Sequence, residues 1–241
     1  KFQSILNPFG ILFHPKAIES VIKNALCKKE YTEKDVFFLN ERWQSFEAHS
    51  KLSSSSKEEI IEQLNKASVS INKAVKNSTH FIITLGTSWV YRFNESGEIV
   101  ANCHKVSQNK FKKELLSVAE INKSLSLIIS LIKEINPSIS FIFTVSPVRH
   151  LKDGVIENQQ SKSHLISALH QIIPIHKNSF YFPSYEVMMD ELRDYRFYGK
   201  DWIHPSAEAV DFIWKKFTKQ HLNKNALDFC NPLHEKALKQ S

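Results

Sequence analysis

The sequence predicts a single α/β domain with a three-layer α/β/α arrangement, in which helices cover both faces of a mostly parallel sheet. Residues 79–85 (THFIITL) and 139–145 (ISFIFTV) are continuously apolar and β-branched, as strands buried on both faces are. Gly86 ends the first of these strands, and Ser146-Pro147 ends the second. Helical patterns of crossover length alternate with the strands, which favours a parallel sheet. We expect residues 1–241 to form one domain, because the only low-complexity stretch is Ser53–Ser56.

The other elements follow in chain order. Residues 36–39 (VFFL) are a candidate strand, and Ser55 or Ser56 is a candidate N-cap for the next helix. Apolar side chains at helical spacing predict a helix over residues 113–135, with Pro137 just beyond its end. After the second central strand we expect a helix near 161–173, a strand at 179–182, and a helix at 205–221 with Val210, Ile213, Trp214 and Phe217 facing inward.

Composition argues against several classes of protein. The formal net charge is +7, but the lysines are dispersed and no arginine-rich run or zinc-finger spacing occurs, so we expect a solvated basic surface and no nucleic-acid partner. No apolar run approaches the ~20 residues needed to span a bilayer, so we expect no membrane partner.

The cysteines and the first residues bear on the cellular compartment. Cys27, Cys103 and Cys230 are odd in number and far apart, which fits neither a disulfide framework nor a metal knuckle. Residues 1–3 show no charged leader before an apolar segment. These features predict a reducing, cytoplasmic location.

Parallel sheets bind ligands at the carboxyl ends of their strands, so the residues that follow each strand are the first candidates for a site. Gly86, Thr87 and Ser88 follow the first central strand. A glycine here allows a sharp turn whose amide N–H groups can hold an oxyanion. A tight turn with Trp89 packed in the core explains the same residues equally simply.

The segment Asp201-Trp202-Ile203-His204-Pro205 is the second candidate. Pro205 suits the first position of a helix, which places His204 at the helix start. An aspartate three residues earlier can accept the imidazole Nδ1–H and leave Nε2 free to take a proton from a hydroxyl. A histidine near a helix cap beside a surface aspartate is the competing interpretation.

Two further segments carry candidate polar groups. Residues 146–150, which end in His150, follow the second central strand, and Asn102-Cys103-His104 forms another possible donor set. Cys103 beside His104 raises the idea of a thiol nucleophile, but adjacent residues on an extended chain point in opposite directions.

Metal binding finds no support in the histidine spacing. His164, His170 and His176 lie six residues apart, so they spread around a helix, and no HExxH motif accompanies them. We expect neither a metal nor an organic cofactor.

Taken together, five segments resemble the GSCFA family, a bacterial group related to the SGNH (GDSL-type) esterases. They occur in the family's order and are residues 7–12 (NPFGIL), 85–91 (LGTSWVY), 102–105 (NCHK), 144–150 (TVSPVRH) and 192–205, which ends in DWIHP. The resemblance covers nearly the whole chain and implies an SGNH-hydrolase-like, flavodoxin-like fold.

In this family the resemblance assigns the catalytic base to His204 and its orienting acid to Asp201. The block that supplies an oxyanion-hole asparagine falls on residues 86–89, where Ser88 stands in place of asparagine. Asn102, His104 and His150 are further candidates for the pocket. The Gly-Ser-Cys-Phe-Ala motif, which would carry the nucleophilic serine after the first strand, is absent from the 241 residues. The resemblance implies that this motif and its strand lie upstream of Lys1, and that the chain as given is inactive.

The sequence therefore predicts a serine-type ester hydrolase or acyltransferase that acts on an acylated carbohydrate or a similar small ester. The competing hypothesis is a non-catalytic glycan-binding domain, in which the aromatic residues Tyr195, Phe197, Tyr198 and Trp202 stack on sugars. Nucleic-acid binding, a third hypothesis, rests on the net charge alone.

Overall fold

The computed structural model describes residues 3–223 and residue 226, so Cys230 lies outside the described residues. In chain order the helices and strands are α1 (Pro15–Leu26), β1 (Phe37–Leu39), β2 (Arg42–Gln44), α2 (Lys57–Asn77), β3 (His80–Leu85), β4 (Trp89–Phe93), β5 (Ile99–Val100), β6 (Phe111–Leu115), α3 (Val118–Ile135), β7 (Ser140–Val145), α4 (Val155–Ile172), β8 (Ser179–Phe182), α5 (Ser184–Glu186) and α6 (Ala207–His221). The structure is mixed α/β, as predicted.

The central sheet contains three parallel strands in the order β3-β7-β8. On one face, Ile83 of β3 and Phe143 of β7 belong to a single buried core with Leu64 of α2, Leu125 of α3 and Leu165 of α4. Helix α6 covers part of the other face, because Phe217 packs edge-to-face on Phe182 of β8 with ring centroids 5.1 Å apart. The sheet therefore has helices on both sides, which is compatible with the predicted three layers.

The two central strands differ in burial. Strand β7 is buried from Phe141 to Val145, as expected, whereas Ile82 in the middle of β3 is 54% exposed. The prediction that β3 is buried on both faces is wrong. Within the described residues β3 pairs only with β7, so it lies at the edge of the sheet, and one of its faces is open.

Two antiparallel units stand apart from the central sheet. Strands β1 and β2 form a hairpin, and β5, β4 and β6 form a three-stranded sheet. The second unit corrects the helix predicted over residues 113–135: residues 111–115 pair with β4, in register from Phe93↔Phe111 to Trp89↔Leu115. Helix α3 begins only after Ser117, whose side chain forms a capping box with Glu120.

Two further helices differ from the predictions. Helix α1, which was not predicted, follows His14 and has Pro15 in its first turn. In α6 the predicted inward positions Val210 and Trp214 are 54% and 37% exposed, because α6 covers only part of its face of the sheet.

None of the helices in the described part of the chain combines the length and the hydropathy that crossing a lipid bilayer requires.

Candidate active site

Two loops meet at the carboxyl ends of β3 and β7. One comprises residues 146–150, after β7, and the other comprises residues 201–204, before α6. Arg149 joins them: its backbone N–H donates to the carbonyl of Ile203 at 3.1 Å, and its Nη1 donates to the carbonyl of Trp202 at 3.0 Å. Two of the segments predicted to carry chemistry therefore converge at the edge of the sheet where parallel sheets bind ligands.

Asp201 and His204 contact each other directly. The Nδ1 of His204 lies 2.7 Å from Oδ2 of Asp201, while Oδ1 accepts the backbone N–H groups of Ile203 at 2.9 Å and His204 at 3.1 Å. The hydrogen bond from the His204 ring, followed by the two backbone bonds, lowers the pKa of Asp201 to about 2. A charged carboxylate favours the tautomer with a proton on Nδ1 and leaves Nε2 as the acceptor. The His204 side chain is 64% exposed, so a ligand can reach it.

The backbone of this loop is strained at Trp202. Its φ is +59°, in the left-handed region that a bulky residue rarely adopts. Its N–H donates to the carbonyl of Gly199 at 2.9 Å, and its ring centroid lies 5.2 Å from that of Tyr195. Trp202 is 59% and Tyr195 60% exposed. Trp202 and Tyr195 therefore expose two contacting aromatic rings to solvent, and Trp202 lies two residues before His204 in the chain.

The start of α6 differs from the prediction. Ser206 is the N-cap, because its Oγ accepts the N–H of Ala209 at 3.3 Å, and the helix begins at Ala207. His204 therefore precedes the helix by three residues and is held by hydrogen bonds of its own loop. Pro205 takes part in an isolated antiparallel bridge and not in the first turn of the helix.

The turn at Gly86 does not offer free amides, in contrast to the prediction. The N–H groups of Gly86 and Thr87 both donate to the carbonyl of Phe13, at 2.7 and 3.0 Å. The N–H of Ser88 donates to Oγ of Ser161 at 2.7 Å. A Cβ on Gly86 would stand 3.2 Å from the Phe13 carbonyl oxygen, so the glycine permits this close approach of the chain. The turn is thus built to receive the N-terminal segment.

Thr87 and Ser88 are structural in their contacts. Thr87 is 7% exposed and Ser88 is fully buried. The hydroxyl oxygens of Thr87 and Ser88 lie within hydrogen-bond distance of Oγ of Ser161, at 3.0 and 3.1 Å respectively. Both side chains are therefore directed at α4.

His150 lies beside the Gly86 turn, at the carboxyl ends of β3 and β7. Its backbone N–H donates to Oδ1 of Asn158 at 2.8 Å, and its ring packs edge-to-face on Phe13 at 5.9 Å. Its Nε2 stands 3.3 Å from the position that a Cβ on Gly86 would take. Burial, followed by repulsion from Lys162, lowers the pKa of His150 to about 4. The ring is therefore neutral near pH 7 and carries one N–H donor.

Asn102 and His104 form contacts of a different kind. Oδ1 of Asn102 accepts the N–H of His104 at 2.9 Å, and Nε2 of His104 hydrogen-bonds with the carbonyl of Ser45 at 2.6 Å. His104 is 4% exposed, and burial lowers its pKa. Burial raises the pKa of the neighbouring Cys103 to about 11, so its thiol stays protonated. These contacts hold a buried loop together and do not extend to residues 201–204.

No cluster of three or more His, Cys, Asp or Glu side chains within residues 3–223 is arranged to hold a metal ion. The histidines of α4 are engaged elsewhere: Nδ1 of His164 hydrogen-bonds with the carbonyl of Leu116 at 2.7 Å, and His170 packs on the ring of Tyr181 at 5.0 Å.

The residues of α4 that hold the loops after β3 and β7 in place were not identified from the sequence. Asn158, Ser161 and Lys162 of α4 are buried polar side chains directed at the strand ends. Their spacing of three and four residues puts them on one helix face, in line with the apolar Leu165. Polar residues that continue an apolar stripe were the available signal.

Comparison with known proteins gives one match. The model of the GSCFA family matches residues 1–217. No curated protein and no solved structure matches the chain.

Proposed function

This chain belongs to the GSCFA family, and on that premise we propose that it has an SGNH-hydrolase-like fold and acts as a serine-type ester hydrolase or acyltransferase. The observation that carries the proposal is the 2.7 Å contact between Nδ1 of His204 and Oδ2 of Asp201, in a loop open to solvent. This contact supplies an oriented base, which is what a hydroxyl nucleophile needs.

In the proposed reaction the nucleophile is the serine of the family's Gly-Ser-Cys-Phe-Ala motif. Its oxygen attacks the ester carbonyl carbon while Nε2 of His204 takes its proton. The tetrahedral intermediate collapses when His204 returns that proton to the departing alcohol. Water or a second alcohol then attacks the acyl-enzyme by the same route, and the serine is regenerated. Asp201 stabilises the imidazolium throughout.

His150 is the best-placed donor for the oxyanion in this proposal. The amides of residues 86–89 are already hydrogen-bonded, whereas the neutral His150 ring carries an N–H donor beside the Gly86 turn. A donor that is already fixed in place stabilises the developing charge without reorganising during the reaction.

For the substrate we propose an acylated carbohydrate or a similar small ester. Trp202 and Tyr195 support this class, because exposed, mutually packed aromatic rings suit the apolar faces of sugars. We propose that catalysis needs neither a metal nor an organic cofactor.

The test is turnover of p-nitrophenyl acetate and of acetylated sugars by protein that carries the serine motif. We expect His204→Ala to reduce kcat by at least 10³-fold, since triad members act as a unit. His80→Ala, which alters an exposed histidine on β3, is the matched control and is expected to retain full activity. Undiminished turnover by His204→Ala would refute the assignment.

A non-catalytic glycan-binding domain is the second candidate, and the exposure of Trp202 and Tyr195 favours it equally. Glycan binding by the motif-containing protein, lost in Trp202→Ala and accompanied by no hydrolysis of any acyl ester, would select this candidate.

A further inference from the structure

Lys162 ties together the two strand ends that bear the candidate site. It is 1% exposed, and its Nζ donates to the carbonyls of Gly86 and Ser146, both at 2.6 Å. Gly86 and Ser146 directly follow Leu85 and Val145, which are paired in the register of β3 and β7. One side-chain nitrogen therefore fixes the first residues of both loops relative to each other.

The charge of this lysine is not balanced by a carboxylate: none of the ion pairs among the described residues includes Lys162, and burial lowers its pKa to about 7. The ring of Tyr185 lies 5.8 Å from Nζ. Burying an unpaired ammonium costs free energy, and an apolar side chain of similar length would fill the space without that cost. Packing alone therefore does not account for a lysine at this position.

The neighbours of Lys162 on α4 act on the same two loops. Ser161 accepts the N–H of Ser88, and Asn158 accepts the N–H of His150. Three buried polar residues on one helix face thus hold the Gly86 turn on one side and the His150 loop on the other. A rigid arrangement of this kind is what a reacting geometry requires, because a displacement of ~1 Å reduces rates by about 100-fold.

The charge of Lys162 also acts on His150. Burial is the largest influence on the pKa of His150, and repulsion by Lys162 is the next; Asp153 opposes them, and His204 adds a further repulsion. Lys162 in its charged form therefore adds to burial in lowering the pKa of His150.

We propose that Lys162 is a positioning residue for the ester-hydrolase site: by donating to two backbone carbonyls, it sets the spacing of the Gly86 and His150 loops. This role rests on the proposed function.

The test uses the motif-containing protein with Lys162→Met, which keeps the length and volume of the side chain and removes its donors and charge. We expect kcat to fall about 10- to 100-fold with KM changed less than about threefold. In the same variant the pKa of His150, measured by NMR titration of the imidazole resonances, should rise. Lys162→Arg, which restores charge and donors, should recover part of kcat and return the pKa of His150 towards its wild-type value. Lys66→Met, at an exposed lysine of α2, is the control and should alter neither quantity.

A folded Lys162→Met protein with wild-type kcat overturns the proposal. If Lys162→Met does not fold, the Lys162→Arg protein decides: a reduced kcat with an unchanged KM supports the role, and a wild-type kcat, or a reduced kcat with KM raised in proportion, overturns it. If the unsubstituted motif-containing protein shows no turnover, the proposed function is refuted, and the positioning role with it. This outcome is distinct from failure of the positioning role alone, in which the unsubstituted protein is active.

Discussion

Ser161→Ala isolates the buried hydrogen-bond network under the Gly86 turn. Ser161 is 1% exposed, and its Oγ accepts the Ser88 N–H at 2.7 Å and lies 3.0 Å from Oγ1 of Thr87. Without this oxygen the Ser88 amide has no partner. Thr87 keeps its bond from the N–H of Trp89, and the Ser88 hydroxyl keeps the carbonyl of residue 161. The structure therefore predicts the cost of one orphaned buried amide, about 1–3 kcal/mol, and not the sum of three lost bonds.

The assay is urea denaturation followed by circular dichroism, together with amide hydrogen exchange at Ser88. A loss of 1–3 kcal/mol corresponds to a decrease in Tm of roughly 2–12 °C for a chain of this size. The control is Ser163→Ala two residues along α4, where the side chain is exposed and donates to the carbonyl of Gln159; alanine there should be nearly neutral. Equal stability of the two variants, or unchanged protection of the Ser88 amide in Ser161→Ala, would refute the network's role.

Two further predictions concern stability. Leu125→Ala, at a fully buried position of α3, should destabilise the protein by about 2–5 kcal/mol in urea titration, whereas Leu127→Ala, at a 37% exposed position of the same helix, should cost ~1 kcal/mol or less; similar losses would contradict the assigned core. His14 is buried as a neutral ring, with Nδ1 accepting the N–H of Ala17 at 3.1 Å and Nε2 paired with the carbonyl of Val100 at 3.1 Å, and burial lowers its pKa from 6.5 to about 4. Because the pKa of His14 is lower in the folded than in the unfolded state, His14 destabilises the protein as pH falls from 6.5 towards 4. Between pH 7 and pH 5 the free energy of unfolding of the wild type should therefore fall by about 2 kcal/mol more than that of His14→Asn. Parallel plots of unfolding free energy against pH for the two proteins would contradict this cause.

Strands and helices with a continuous local pattern could be predicted from the sequence. The strand predicted at residues 179–182 is β8, and Ser56 caps α2 as its position suggested. Residues 111–115 could not be read in this way, because their lysines and glutamate are good helix formers. They form a strand because they pair with β4, which lies about twenty residues earlier in the chain. Pairing between such distant segments produces no hydrophobic periodicity in the local sequence.

The same division applies to the candidate site. Asp201 and His204 lie three residues apart in one loop, so their contact follows from short-range geometry and the spacing could suggest it. The partners of the Gly86 turn come from far along the chain: Phe13 precedes it by more than seventy residues, and Ser161 follows it at a similar separation. The local sequence predicts that the amides of this turn are free, whereas in the fold they donate to distant acceptors. Nothing in the local sequence indicates those acceptors.

At Trp202, whose backbone is left-handed, selection for thermal stability opposes selection for an aromatic side chain. Glycine is the residue that this φ accommodates at least cost, so a screen for heat tolerance alone would favour replacing the indole with a hydrogen atom. That exchange would relax the chain and at the same time remove half of the aromatic surface beside the imidazole. Substitutions intended to raise the thermal stability of this protein should therefore spare position 202 and be placed on surfaces away from residues 201–204.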